Sequence, residues 1–255
     1  MTGRRAVIGL TVLCALAFSA FSAASASAAG TTAYTCVDGG TGGLGTRFSD
    51  PDCENAETGG TYGHVAFASE TTTDLQVVQT TNQVLKGTLA GVEVELEATG
   101  VTAKEGSYVE NTDHGTEPMD VSGEVTLEYT GVTVKKPLLS PACAVEGGKV
   151  TTNPLKFTSV TGTTPKTTGI KFEPKEGTTF AVIHIITCSI AANYNVKGAV
   201  TANPKGATLS VSPESESLTL GGNPATLAGT VTISGKDTSI PGDTYKPLSL
   251  TTTTP

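Results

Sequence analysis

The chain has 255 residues, with 16 basic against 24 acidic side chains, no Trp, 30 Gly and a heavy excess of Thr. A net acidic surface repels phosphate backbones, and no basic stripe with interleaved aromatics occurs, so nucleic-acid binding is excluded as a reading. The length suits one large β domain or two small ones.

The first residues read as a secretory signal peptide. Arg4 and Arg5 form a basic start, Ala6 to Phe18 an apolar run of 13 residues, and Ala26-Ser27-Ala28 a small-residue cleavage signal. Cleavage is expected after Ala28. The apolar run turns Ser-rich too early for a transmembrane span, which needs about 20 apolar residues. No second stretch of that length follows, so a mature chain without a membrane span is expected, secreted or associated with the cell wall. It would keep about 227 residues and, having lost only Arg4 and Arg5, a charge of −10 (14 basic, 24 acidic).

Removal of the leader takes Cys14 with it and leaves Cys36, Cys53, Cys143 and Cys188. An even number in an oxidising compartment predicts two disulfides, with three connectivities open. The expected pairs are Cys36–Cys53, around a Gly-rich loop, and Cys143–Cys188, tying the segment after Pro141 to an apolar strand. The absence of any C-x-x-C argues against zinc. No metal site and no cofactor are expected.

Residues 29–60 are poor in apolar periodicity and read as an irregular, disulfide-closed segment, with a strand at Thr32 to Val37. Strands follow at Tyr62 to Ala68 and Asp74 to Gln79. Residues 91–100 alternate strictly: Val92, Val94, Leu96 and Ala98 on one face, Glu93, Glu95 and Glu97 on the other. One face is therefore dry and one wet. Residues 123–134 repeat the design, with Val125, Leu127 and Tyr129 inward and Glu124 and Glu128 outward. VELEATGVT at 94–102 also echoes VTLEYTGVT at 125–133. In residues 180–190 both faces are apolar, which predicts a central strand covered on two sides, with His184 in the core. Later strands are expected at 193–200, 208–211, 217–220, 225–234 and 246–251, ahead of a disordered tail at 252–255.

About twelve short strands with turn signals between them predict an all-β, antiparallel β-sandwich over residues 61–251, jelly-roll or Ig-like in style. The order AYTC, a Cys-closed Gly-rich loop, TYGHV, LKGTLAGVEVELE, LEYTGVTVKKP and YKPLSLTT resembles a group of uncharacterised secreted β-rich proteins from actinobacterial genomes. The likeness covers most of the mature chain. It implies a further Cys pair near 98–101 and 132 in many members, which this chain lacks, and it supplies no activity.

No catalytic residue is expected. Gly40 to Gly45 matches G-x-G-x-x-G but lies within the disulfide loop rather than between a strand and a helix. Asp50, Asp52 and Glu54 alternate as Ca²⁺ ligands can, yet they lack the EF-hand pattern. His64, His114 and His184 have no nucleophile motif beside them. The glutamates at 93, 95, 97, 124 and 128 are explained as wet strand faces. The expected function is therefore a secreted, non-catalytic structural or interaction protein that binds an extracellular protein or glycan. The alternatives are a carbohydrate-binding module, which would show an exposed Tyr row, and a hydrolase, which would gather a His with two carboxylates.

Overall fold

The computed structural model describes residues 31–39, 46–66, 73–112, 120–161, 168–237 and 244–252. The Ala28 cleavage site, the Gly40 to Gly45 string and His114 lie outside the described residues. The chain is all-β and antiparallel, and its only described helix is one 3₁₀ turn at Glu146–Gly148.

Three strands come first: β1 (Thr31–Asp38), β2 (Arg47–Phe48) and β3 (Tyr62–Ala66). Eight long segments follow. Residues 73–89 carry β4 (Thr73–Gln79) and β5 (Gln83–Leu89). Residues 92–112 carry β6 (Val92–Ala98), β7 (Gly100–Ala103) and β8 (Tyr108–Thr112). Residues 120–136 carry β9 (Asp120–Val125), β10 (Leu127–Thr130) and β11 (Thr133–Lys136). Residues 144–161 carry β12 (Ala144–Val145), β13 (Lys149–Thr151) and β14 (Leu155–Thr161). Residues 168–186 carry β15 (Thr168–Pro174) and β16 (Thr179–Ile186), and 192–205 carry β17 (Ala192–Lys197) and β18 (Val200–Lys205). Residues 208–220 carry β19 (Thr208–Glu216) and β20 (Leu218–Leu220), 223–237 form β21 (Asn223–Asp237), and β22 (Lys246–Thr252) ends the chain.

Each long segment pairs with the next, and the last pairs with the first. β5 pairs with β6 and β4 with β8; β8 pairs with β9, β7 with β10 and β6 with β11. The order continues through β14, β15, β18 and β19 to β21. β21 closes the ring on β4 (Val231↔Gln79) and on β5 (Ala225↔Gly87). The result is a closed eight-stranded up-and-down barrel.

This corrects the expected sandwich of about twelve strands. Alternation specifies one dry and one wet face, and a barrel wall meets that condition as well as a sandwich layer does. The strand number rises to 22 because bends divide every long segment except 223–237, and because β1, β2, β3 and β22 lie outside the eight segments.

The wall faces inward as the alternation requires. Val94, Leu96 and Ala98 are buried, as are Ala225, Leu227 and Ile233 along β21. β16 departs from expectation: Ala181, Ile183 and Ile185 are buried, while His184 and Ile186 are exposed and Val182 is half-buried. Among the described residues no second layer covers its outer face, so the expected double burial and the core position of His184 are both corrected.

The N-terminal segment is more regular than residues 29–60 suggest. β1 pairs with β22 on one side (Ala33↔Leu250) and with β3 on the other (Cys36↔His64), and β2 adds to β3. β22 branches from the end of β21 at Ser234↔Pro247. It includes Thr252, so the expected tail at 252–255 loses its first residue to a strand; 253–255 lie outside the described residues. This small sheet caps one end of the barrel with Ala33, Leu248 and Leu250, which belong to the same core as the barrel wall. Asn111 pins it there. The Ala33 amide donates to Asn111 Oδ1 (2.7 Å), and Asn111 Nδ2 donates to the Ala33 carbonyl (3.1 Å).

Candidate functional site

The barrel interior holds two cavities in line. The one nearer the cap is about 70 Å³ and is lined by residues including Leu75, Val109, Phe157, Ile170, Leu209 and Leu248. The far one is about 60 Å³, with Leu85, Leu96, Val132, Val150, Ile183 and Leu218 in its wall. Gln83, Tyr129, Phe180 and Leu227 line both and form the partition. No Asp, Glu, Lys, Arg or His is among the lining residues of either chamber.

The partition rests on one buried amide. Gln83 Nε2 donates to the carbonyls of Thr81 (2.9 Å) and Thr230 (3.2 Å). Gly229 makes room for it, since a Cβ at that position would run into the Gln83 amide group. The Tyr129 phenol is the other polar side chain of the walls. Each cavity exceeds the space one water needs, but water also needs two to four polar partners, so these chambers favour apolar guests.

Outside, the wall is charged and self-compensated. Glu128 is flanked by Lys149 (3.2 Å) and Lys104 (3.5 Å), Glu97 by Lys135 (3.3 Å) and Glu93 by Lys136 (3.0 Å). Glu124 pairs with Lys175 (2.7 Å) and Glu173 with Lys171 (2.7 Å). Hydrogen bonds from Lys149 hold the Glu128 carboxyl below the usual carboxylate range, and those from Lys171 do the same for Glu173. These carboxylates form ion pairs on the outer wall, cross-strand except for Glu173–Lys171 within β15, rather than facing one another across a cleft.

The remaining candidates are spread apart. Asp50 uses both carboxylate oxygens on backbone: the amides of Asp52 (3.1 Å), Glu54 (3.0 Å) and Asn55 (2.8 Å) donate to it. Those bonds lower its pKa, although burial alone pushes the other way as the largest single influence. Burial and the Glu54 and Asp50 charges raise Asp52. Glu54 accepts from Thr208 Oγ1 and lies 3.8 Å from Lys205. The acidic triplet thus folds its own loop onto the β18–β19 turn, and among the described residues no group of His, Cys, Asp and Glu is arranged to hold a metal.

His64 is buried in the cap, stacked on Tyr34 (5.2 Å between centroids) and tilted against Phe48 (4.6 Å). Its Nε2 has no hydrogen-bond partner among the described residues, and burial lowers its pKa. His184 faces solvent, with Nδ1 3.6 Å from Glu146 Oε2. Among the described residues, no hydrogen bond joins His64 or His184 to a nucleophile. The tyrosines make no exposed row: Tyr34 is buried, Tyr129 lines the chambers, and the Tyr194 hydroxyl donates to the Ile190 carbonyl (2.7 Å). Tyr245 is the one with substantial exposure.

Cys36 is bonded to Cys53 under the cap, and Cys143 to Cys188 at the far end of the barrel. No described helix is long and apolar enough to cross a membrane. The chambers themselves were invisible to residue-by-residue reading, because they arise only when strands some 150 residues apart close the ring.

No protein-family model matches the chain, and no curated protein or solved structure is similar enough to match it.

Proposed function

We propose that the chain is exported and acts outside the cell as a non-catalytic binding protein, with the apolar barrel interior as its binding site. One observation carries the reading: the barrel encloses two chambers whose walls are apolar but for Gln83 and Tyr129, with no Asp, Glu, Lys, Arg or His among the lining residues. An eight-stranded barrel is wide enough to hold one small guest. A charge entering such a wall stays unpaired and costs several kcal/mol, which favours uncharged hydrocarbon.

The wall polarity supports a protein that works in water. Charged pairs lie outside and hydrocarbon inside, the reverse of a barrel that spans a bilayer. Two disulfides suit an oxidising exterior. The glycan reading lacks the Tyr row it calls for, and the hydrolase reading lacks a described His set between carboxylates.

Isothermal titration with a series of 1-alkanols tests the binding reading. We expect saturable one-to-one binding that strengthens by about 0.8 kcal/mol per added methylene until the chain outgrows the interior. Absence of saturable heat across the series overturns it. Export is tested separately by N-terminal sequencing of protein recovered from the medium, with Ala29 expected first and a retained leader as the contrary result.

A further inference from the structure

Seven of the eight junctions between neighbouring long segments carry at least two strand ladders, spread over both halves of the barrel. The eighth has no such spread. In the half of the barrel away from the cap, β11 pairs with β6 and β12 pairs with β16, and no pairing joins β11 to β12. The junction between these segments is zipped by β9–β14 and β10–β13, and its last backbone bond runs from the Val132 amide to the Gly148 carbonyl (2.9 Å). Beyond that bond the two edges meet only through side chains. Val145 is buried, and Val134 and Leu139 pack against the core.

The far chamber adjoins the closed end of this seam, where Val132 and Val150 line it. Leu96, in its wall, is the register partner of Val134 on β11. Ile183, also in its wall, precedes Ile185, the partner of Val145 on β12. At the open end, the loop 137–143 that joins the two edges carries Leu138, which is 92 % exposed, and Ile186 stands exposed beside Ala144. Two of the five exposed large apolar side chains therefore flank one short opening.

From this geometry we infer that the β11–β12 seam is the entrance to the far chamber, and that it admits the hydrocarbon portion of an uncharged aliphatic molecule. The inference rests on the binding reading above. Parting other junctions breaks ladder hydrogen bonds and leaves backbone groups unpaired, a cost that the seam does not carry. Parting the seam separates only apolar side chains, which the guest itself then covers. The cap end is held shut by the Asn111 clamp on Ala33 of β1. The Cys143–Cys188 bond ties the start of the β12 edge to the end of the β16 segment and limits how far the seam parts.

The test uses the full disulfide-bonded protein and 1-propanol, a guest small enough for a chamber of about 60 Å³. Hydrogen exchange measured with and without propanol is expected to show protection gained at 132–136 and 144–149 and little change in β1 and β22. Ala181→Leu, which fills the far chamber, should weaken propanol binding at least tenfold, whereas Ala202→Leu in the cap-side chamber should weaken it less. The Cys143→Ser/Cys188→Ser protein should exchange propanol faster in both directions with Kd unchanged. Propanol binding with protection confined to β1 and β22, or with Ala202→Leu the more damaging filler, overturns the entrance while leaving the binding reading intact, and so does binding by longer alkanols alone. Failure of the whole alkanol series to bind the unmodified protein overturns both.

Discussion

Thr99 and Thr130 face each other where two neighbouring segments bend, the Thr99 amide donating to the Thr130 carbonyl at 3.1 Å. Each threonine also occupies the space above the glycine that follows the other. A Cβ on Gly131 would run into Thr99 Oγ1, and one on Gly100 into Thr130 Oγ1. The two Thr-Gly steps interlock, which gives a structural reason for the echo between residues 94–102 and 125–133.

The two glycines should nonetheless respond differently. Gly131 sits at φ +60°, a region costly for residues with a Cβ, whereas Gly100 has no such constraint. Gly131→Ala should cost about 2 kcal/mol, half from backbone conformation and half from the collision. Adding Thr99→Ala should recover only the collision part. Gly100→Ala should be rescued almost fully by Thr130→Ala. Urea midpoints of the four proteins check this; equal rescue at both sites contradicts it.

The alternating strands were legible because period-two patterning records which side of a strand is dry. Val94, Leu96 and Ala98 are buried as their spacing predicts, and Glu93 lies exposed. Closure was not legible. It depends on β21 meeting β4 across more than 150 residues, and nothing local to Val231 or Gln79 encodes that meeting. The β16 reading failed for a related reason: Val182 and Ile186 are apolar, but no layer among the described residues covers them from outside the wall. The chambers followed the same rule, since an inward Leu reads alike whether it fills a core or lines a void.

Gln83 is the one buried polar side chain of the partition, and its position depends on the missing side chain at Gly229. Gly229→Ala should push the amide away from the Thr81 and Thr230 carbonyls and leave a buried polar group unpaired. We expect a loss of about 1–3 kcal/mol. Gln83→Leu/Gly229→Ala should be more stable than Gly229→Ala alone if that orphaned amide is the cause, because the hydrocarbon replacement needs no partner. Equal midpoints for the two proteins would point instead to strain in β21.

The two disulfides close loops of different length, with sequence separations of 17 and 45. Loop entropy alone makes the first worth about 3 kcal/mol and the second about 4. Cys143→Ser/Cys188→Ser should therefore lower the urea midpoint more than Cys36→Ser/Cys53→Ser. The order should reverse for local opening. Loss of Cys36–Cys53 should speed hydrogen exchange in β1 and β3, where the small cluster of Cys36, Phe48, Cys53 and Tyr62 supports the cap. Exchange that accelerates evenly over the whole barrel in either variant would show that cap and wall do not open independently.

His64 gives the cap a pH dependence whose sign follows from its surroundings. The ring lies between Tyr34 and Phe48, and its Nε2 has no described partner, so burial disfavours the imidazolium and lowers the pKa. In the unfolded chain the same ring takes a proton near its ordinary value of about 6.5. Above that pH neither state is protonated and the ring contributes no pH dependence. As pH falls below it, the unfolded state binds the proton first and stability declines. The decline levels off once the pH passes the depressed folded value. Replacing the ring with an apolar aromatic of similar shape removes the titration and keeps the stack. His64→Phe should therefore unfold at nearly the same urea concentration at pH 7.5 and pH 5.0, apart from slopes shared with the parent. His184 is exposed and present in both proteins, so the difference between the two curves isolates His64. Parallel curves for parent and variant over that interval would mean that the buried ring finds a proton acceptor in solution.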